Sequence, residues 1–192
     1  MANSVANVAV GKPKVTGGAF RAPLGTALPT DSSVALDVAF KGLGYVGEDG
    51  VTFNPARSTD KKKAWGGDIV KVTQSEYSET WQFTLIEYRN PEVQKTVFGD
   101  DNVTVTAADA THGTRLTVAH NGDILPNQSF AFEMLEGVAA NRIVLPNAQV
   151  NEVGEISYQD DELIAYQVTV EAFQDESGNN SYEYSDDGVL TP

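Results

Sequence analysis

The sequence contains no cysteine and no long run of apolar residues, and each absence excludes a class of protein. Without cysteine, the 192-residue chain forms no disulfide and has no thiol chemistry. A membrane-spanning helix needs about 20 consecutive apolar residues, and no stretch of this chain approaches that length. The N-terminal residues lack the basic and apolar regions of a signal peptide. We therefore expect a protein without a membrane partner that folds in a reducing cytoplasm.

Positive charge is also scarce. The 13 lysines and arginines face 27 aspartates and glutamates, which gives a net charge of -14. A nucleic-acid-binding surface needs clustered cations to replace the counterions of the phosphate backbone. The charge balance argues against such a surface. It predicts a chain that repels polyanions at short range, within about 8 Å at physiological salt.

Residues that commonly carry catalysis or bind metals are few. His112 and His120 flank a predicted strand, and their spacing is not that of two metal ligands on a helix. The chain has no Gly-x-Ser-x-Gly elbow, Walker loop or dinucleotide-binding fingerprint. Residues 175–179 alternate oxygen-bearing side chains as a calcium loop does, but the glycine stands at the wrong place, which favours a turn. Three adjacent acid pairs fall in predicted turns: Asp100/Asp101, Asp160/Asp161 and Asp186/Asp187. The sequence predicts neither an enzyme nor a cofactor or metal site.

Alternation of apolar and polar residues is the main structural signal. In residues 79–87, Trp81, Phe83 and Leu85 alternate with polar side chains, which predicts a strand with one packed face and one wet face. A second long strand with the same pattern is predicted at residues 163–173. Shorter strands are predicted at 34–41, 45–46, 51–53, 103–106, 114–120, 129–136, 141–145 and 149–158, with an edge strand at Tyr182 and Tyr184. Asp49-Gly50 is a strong two-residue hairpin signal between two of these strands.

One short helix is predicted at about residues 90–98, because its ends are well marked. Asn90 suits the N-cap, Pro91 the first helical position and Glu92 the positive end of the helix dipole. Gly99 can take the left-handed conformation that ends a helix. A helix of about nine residues is too short to be stable alone. We therefore expect it to be docked on the sheet that precedes it.

Many short strands with one helix predict a mainly β fold, either a β-sandwich or a partly closed barrel. Residues 1–30, which are rich in glycine and proline, are expected to be an extended arm. That arm is either disordered or ordered by a neighbouring subunit. Residues 31–175 are expected to form the β domain, and residues 176–192 an acidic C-terminal arm.

Within the β domain, residues 54–67 are expected to be a long basic loop. A run of charge is usually a solvated loop. On an acidic chain, however, a basic loop is also suited to contact another copy, and an exposed tryptophan favours a contact. Both interpretations stay open. The candidate contact residues are Arg57, Lys61, Lys62, Lys63 and Trp65.

The order of these motifs resembles the major tail protein, or tail tube protein, of long-tailed (siphovirus-type) phages of Gram-positive, actinobacterial hosts. The resemblance covers roughly residues 5–185, and no single motif is diagnostic. The motifs are residues 42–51 (Gly-Leu-Gly-Tyr-Val-Gly-Glu-Asp-Gly-Val), the Trp65-Gly66-Gly67 end of the basic loop, residues 79–87 (Glu-Thr-Trp-Gln-Phe-Thr-Leu-Ile-Glu), residues 90–99 (Asn-Pro-Glu-Val-Gln-Lys-Thr-Val-Phe-Gly) and residues 154–170 (Gly-Glu-Ile-Ser-Tyr-Gln-Asp-Asp-Glu-Leu-Ile-Ala-Tyr-Gln-Val-Thr-Val).

The resemblance implies a tail-tube β-sandwich that forms hexameric rings, which stack into a hollow tube. One sheet of each subunit would line the bore that conducts the genome during ejection, and the basic loop and the arms would bridge successive rings. It also implies tape-measure and terminator proteins as partners, and assembly of the virion tail in the host cytoplasm. The wet faces of the two long strands are the candidates for the bore lining: Thr80, Gln82, Thr84, Gln167, Thr169 and Glu171.

A β-sandwich binding module, of the carbohydrate-binding or capsid-decoration type, is the alternative. A glycan site would use exposed aromatic side chains near a sandwich edge. Tyr45, Trp65, Tyr182 and Tyr184 could serve in it. The missing signal-peptide pattern counts against a secreted lectin.

Overall fold

The computed structural model describes residue 3 and residues 7–190. This part of the chain is mainly β with one α-helix, as predicted. The strands are β1 (Ala19–Pro23), β2 (Lys41–Gly42), β3 (Val46–Lys63), β4 (Ile69–Leu85), β5 (Val103–Thr106), β6 (Arg115–Val118), β7 (Gln128–Glu136), β8 (Ala139–Val153), β9 (Tyr166–Phe173) and β10 (Tyr182–Asp186), and the helix is α1 (Pro91–Phe98).

Eight of the strands form one antiparallel sheet in the order β2-β1-β7-β8-β9-β4-β3, with β10 also paired to β8. Strands β5 and β6 make a separate hairpin. The long strand β8 organises the sheet, because β7 pairs along one edge while β9 and β10 share the other. The edge strand expected at Tyr182 and Tyr184 is therefore confirmed as β10.

The sheet curls until its two edges approach each other. Only residues 43–45 connect β2 at one end of the strand order to β3 at the other. Although β8 and β9 lie between β4 and β7, the ring of Phe83 on β4 is 5.2 Å from that of Phe132 and 6.3 Å from that of Phe130, both on β7. The result is a partly closed barrel around one apolar core. Burying each large side chain of this core contributes roughly 1.5–3 kcal/mol before entropy is charged.

Helix α1 covers the inner face of the sheet, and its predicted ends are confirmed. The Asn90 side chain accepts a hydrogen bond from the Glu92 N–H at 3.0 Å, and Pro91 occupies the first turn. Gly99, with a φ of 94°, donates its N–H to the Lys95 carbonyl. Val93 and Val97 enter the core, so tertiary packing stabilises a helix that is too short to stand alone.

The strand predicted at residues 34–41 is absent, apart from Lys41 in β2. The carboxylate of Asp31 accepts the N–H of Val34 at 2.7 Å, and that of Asp37 accepts the N–H of Ala39 at 2.8 Å. Such local side-chain bonds compete with strand pairing. The segment instead crosses the outer face of the sheet, where Leu36 and Phe40 cover Ala22 and Ala131.

Asp49-Gly50 does not form a hairpin turn. Both residues lie inside β3, where the pairing passes from Val46–Leu85 to Val51–Phe83 with extra residues on β3. Gly50 supplies a φ of 67°, as a β-bulge requires. The hairpin prediction is therefore wrong, because β3 continues past Gly50 along the same partner strand.

Two further boundaries differ from the expectation. Pro146 lies inside β8 without interrupting the strand. On this edge, β10 pairs with the residues before Pro146 and β9 with the residues after it. The Pro146 carbonyl accepts the Ser129 hydroxyl at 2.7 Å, opposite an irregularity in β7. Within the expected N-terminal arm, Ala19–Pro23 forms β1, which pairs with both β2 and β7. The outermost residues of that arm lie outside the described part of the chain.

Candidate interaction surfaces

The expected basic loop at 54–67 is instead the outer part of β3 and most of the turn of a long β-hairpin. Strand β4 pairs with β9 only from Glu79 to Leu85, so the rest of β3 and β4 leaves the sheet together. We call residues 56–78 the ribbon. None of its residues is buried. At about 3.3 Å per residue it projects roughly 30 Å.

The ribbon forms because its strands pair over their whole length. The turn is closed by Ala64, whose N–H donates to the Asp68 carbonyl at 2.8 Å, and Gly67 has a φ of 95°. Residues on a free two-stranded ribbon meet solvent on both faces, so no alternation marks residues 54–63 as a strand. The β-branched residues of 69–73 on the partner strand are the one signal of strand pairing in the sequence.

The ribbon carries an excess of positive charge on an acidic protein. It holds five cations and three carboxylates, against eight and 24 elsewhere in the chain. The guanidinium of Arg57 lies 4.3 Å from the centre of the Tyr77 ring and donates to Gln74 at 3.3 Å. Lys62 stands directly opposite Lys71 on the partner strand, a repulsive cross-strand pair. The Lys62 ammonium lies 3.5 Å from the carboxylate of Asp60.

The ribbon also exposes apolar side chains. Val70 is 65% exposed, Val72 55% and Ile69 53%, and the tip residue Trp65 is fully exposed. By register, Val72 lies beside Lys61 and Ile69 beside Lys63. A two-stranded hairpin alone in water is marginally stable, and clustered exposed apolar side chains mark interaction sites. The ribbon therefore has the properties of a contact element.

A buried carboxylate stands at the root of the ribbon. Glu79 is 6% exposed and accepts hydrogen bonds from the hydroxyls of Tyr77 and Ser181, the latter at 2.6 Å. The hydrogen bond to Glu79 raises the pKa of the Tyr77 hydroxyl. These bonds tie the ribbon to the loop between β9 and β10, so they set the direction in which it projects. By alternation Glu79 lies on the same face of β4 as Trp81, Phe83 and Leu85, but no sequence pattern identifies its partners.

The six candidate residues of the two long strands lie together on the outer face of the sheet. Thr80, Gln82 and Thr84 on β4 stand opposite Glu171, Thr169 and Gln167 on β9. All six are exposed or half-buried. The neighbouring strands extend this surface, which we call the polar face, with Thr52 and Asn54 on β3 and Gln149 and Glu152 on β8. These ten residues include two carboxylates and no cation. Only the pairing of the strands assigns Thr52, Asn54, Gln149 and Glu152 to this face.

Two buried arginines, neither of them predicted, hold the fold around these surfaces. Arg21 bonds to Glu92 and Asp100, each at 2.6 Å. Burial alone would lower the pKa of Arg21, but hydrogen bonds to Asp100 and Glu92 outweigh it and raise that pKa. Arg142 pairs with Glu133 and donates to the carbonyls of Asp31 and Val34. Both link segments distant in sequence.

Within residue 3 and residues 7–190, no group of side chains is arranged to hold a metal ion. The Asp175 carboxylate, part of the calcium-like pattern, accepts the Tyr182 hydroxyl at 2.6 Å and the Ser177 and Asn179 N–H groups. The Tyr182 bond is the main reason why the pKa of Asp175 is lowered. These bonds form a turn, as predicted. The helix found in this part of the chain is not long and apolar enough to cross a membrane.

The aromatic residues considered for a glycan site do not form one platform. Tyr182 and Tyr184 stack on each other, with ring centres 6.1 Å apart. Trp65 lies at the tip of the ribbon, whereas Tyr45 donates its N–H to Glu87 beyond the far end of β4. Open depressions of about 640 and 390 Å³ lie near β10 and near the β8–β9 end of the sheet.

Comparison with known families decides between the two classes of function. A family model described as "Phage tail tube protein" matches residues 6–189, nearly the whole chain. The chain belongs to the phage tail tube protein family. This tail tube protein is thus a structural component of a virion tail, and the resemblance in its motif order is confirmed at the family level.

Two solved structures align with nearly the whole chain at low sequence identity. One belongs to the sheath–tube complex, in its extended state, of an extracellular contractile injection system, with a TM-score of 0.47, 7% identity and coverage of 96% of this chain and 99% of that one. Another is the tube-terminating cap of the anti-feeding prophage, with a TM-score of 0.44, 9% identity and coverage of 97% and 100%. No curated protein matches the tail tube protein in sequence.

Proposed function

We propose that this tail tube protein forms hexameric rings that stack into the hollow tube of a siphovirus-type tail, in a phage of an actinobacterial host. The tube conducts the genome during ejection, and no catalytic step is involved. The ribbon carries the proposal, because it is an exposed, basic and partly apolar element on an acidic subunit. Assembly takes place in the host cytoplasm, with tape-measure and terminator proteins as partners.

The ribbon is the proposed contact between successive rings, through Arg57, Lys61, Lys62, Lys63 and Trp65. The exposure of Val70, Val72 and Trp65 supports this role, since burying them against a neighbour stabilises both the contact and the hairpin. The unpaired charge on the ribbon supports it as well, because a second copy is rich in carboxylates. The two ends of the chain, residues 1–30 and 176–192, are proposed to add further bridging contacts around the 31–175 domain.

The polar face is the proposed lining of the bore. Its threonine, glutamine and asparagine side chains present no cation to a passing phosphate backbone, and Glu171 and Glu152 repel it. A lysine in the bore would instead exchange with counterions of the DNA and hold it. The face is also continuous over four neighbouring strands, which suits a smooth wall.

Electron microscopy of the purified protein tests the proposal directly. We expect negatively stained rings and hollow tubes whose length grows with protein concentration, because stacking adds one ring at a time. Mass per unit length and the axial ring spacing, measured on the same tubes, together give the number of subunits per ring. A protein that stays monomeric at high concentration and binds glycan beads would instead support the binding module.

Lysines on the polar face test the bore assignment. We expect tubes of the triple variant Thr80→Lys, Gln82→Lys and Thr84→Lys to retain short DNA fragments that wild-type tubes release, with at least a tenfold gain in the bound fraction at low salt. The matched control carries Thr104→Lys, Thr106→Lys and Thr117→Lys on the exposed β5–β6 hairpin. Equal retention by both variants would show that the polar face has no special access to DNA.

A further inference from the structure

The two ends of the subunit differ in character. Strand β4 pairs Glu79 with Ala172 and Leu85 with Tyr166, so the ribbon leaves the sheet where β9 finishes. The loop that joins β8 to β9 lies at the opposite end, where β9 begins. We call this loop, residues 154–165, the rim loop. The ribbon and the rim loop therefore mark opposite ends of one direction through the sheet.

The rim loop is acidic and exposed. Its four carboxylates, Glu155, Asp160, Asp161 and Glu162, are all exposed, and it contains no lysine or arginine. None of the four makes an ion pair with any residue that the structure describes. Their charge is thus available to a cation from outside the subunit.

The rim loop also offers apolar surface, and its first part is anchored to the sheet. Leu163 is 72% exposed and Tyr158 63%. The Tyr158 ring lies edge-on to that of Tyr88, with centres 6.5 Å apart, and the Gly154 N–H donates to the Gln167 carbonyl at 2.8 Å. The loop is therefore anchored at Gly154 and Tyr158, while Leu163 remains uncovered.

Each property of the rim loop has its complement on the ribbon. Lysines 61, 63 and 71 of the ribbon have no ion-pair partner within residues 7–190, and Ile69, Val70 and Val72 are exposed beside them. We propose that the rim loop of one copy is the surface that receives the ribbon of the next. This inference rests on the proposed function and assigns the receiving surface that stacking requires. Single exposed ion pairs are weak, so the apolar side chains supply affinity and the charges supply direction.

A contact between unlike surfaces at opposite ends continues from copy to copy instead of closing on itself. The ribbon-to-rim contact therefore builds a polar filament. The acids of the C-terminal segment are less suited to receive the ribbon. Strand β10 continues in the direction of β9 along the same edge of β8, so Asp186 and Asp187 lie toward the end from which the ribbon of their own subunit leaves. A ribbon arriving at the opposite end meets the rim loop first.

Charge exchange between the two surfaces tests the proposal. We expect the ribbon variant Lys61→Glu, Lys62→Glu, Lys63→Glu and the rim variant Asp160→Lys, Asp161→Lys, Glu162→Lys each to reduce the fraction of protein that sediments as tubes at least tenfold. Folding is checked by circular dichroism. A chain carrying both sets restores complementary charge, and we expect it to recover tubes to within about threefold of wild type.

Two further variants keep the test decisive. The matched control Asp101→Lys, Asp109→Lys, Asp123→Lys makes the same change of charge at exposed positions around the β5–β6 hairpin. No proposed contact uses this hairpin, so the control should leave sedimentation within twofold of wild type. The milder variant Asp160→Asn, Asp161→Asn, Glu162→Gln avoids new charge, in case the lysine variant misfolds. This variant should shorten tubes less than the lysine variant does. Added salt should shorten wild-type tubes more than it shortens tubes of the Asn/Gln variant.

The outcomes separate the receiving surface from the tube itself. If wild type forms tubes but the rim variants stack normally, the rim loop is not the receiving surface, while the tube function stands. The same holds if the control around the β5–β6 hairpin blocks stacking as strongly as the rim variants do. Recovery of tubes by the doubly exchanged chain supports the assignment. If wild type forms neither rings nor tubes at any concentration, the proposed function fails, and this inference fails with it.

Discussion

Removal of the ribbon should give a folded subunit that forms no tubes. The variant replaces residues 57–77 with Asn-Gly, which joins the paired residues Ala56 and Ser78 by a two-residue hairpin turn. The ribbon contributes no residue to the buried core, so the free energy of unfolding should fall by no more than about 1 kcal/mol. Tube formation, in contrast, should be lost completely.

The measurement combines sedimentation with chemical denaturation of the same preparation. A matched control replaces residues 107–114, the exposed connection between β5 and β6, with the same Asn-Gly turn. That control shortens another exposed hairpin and should leave tube formation intact. Normal tubes from the ribbon-less chain would remove the ribbon from stacking. Loss of tubes from both variants would point to a general effect of shortened hairpins.

Local signals explain why part of the fold was predictable. The ends of α1 depend on residues within one turn of each other, such as the Asn90 side chain and the Glu92 N–H. The faces of β4 and β9 were also predictable, since alternation reports directly which side chains are buried. Trp81, Phe83 and Leu85 are in the core, and the polar residues between them share the opposite face with those of β9.

The ribbon was missed for a physical reason. A strand is recognisable when burial of one face imposes alternation, and a free ribbon buries neither face. Residues 54–63 therefore resemble a charged loop, although they pair almost residue for residue with β4. The exposed Trp65 and the lysine run pointed to a contact role, but not to the length of the element that carries them.

The long-range polar contacts could not be predicted either. Arg21 lies 71 residues from Glu92, and Arg142 lies 111 residues from Asp31. No local pattern marks such partners, because they meet only when the sheet has curled. The same applies to the polar face. The sequence predicted its residues on β4 and β9, whereas its residues on β3 and β8 follow only from the strand pairing.

Substitution of Arg142 should destabilise the subunit more than any surface change. Arg142 is 2% exposed, pairs with Glu133, and donates to the carbonyls of Asp31 and Val34 at 2.6 and 2.7 Å. Arg142→Met leaves Glu133 buried with only Lys14, at 3.2 Å, as a cationic partner. Breaking a buried pair on one side costs about 3–5 kcal/mol. Urea denaturation should register that loss in the free energy of unfolding.

The control is Arg115→Met, which removes an exposed arginine paired with Asp109 at 3.1 Å and should cost less than about 1 kcal/mol. The double variant Arg142→Met, Glu133→Met removes both charges, and replacing a whole buried pair by apolar side chains is often nearly neutral. It should recover part of the loss but not all of it. The carbonyls of Asp31 and Val34 would still lack a donor, so the segment over Ala22 and Ala131 would be held by apolar contacts alone. Full recovery would mean that the ion pair, and not the tethering of this segment, accounts for the whole effect.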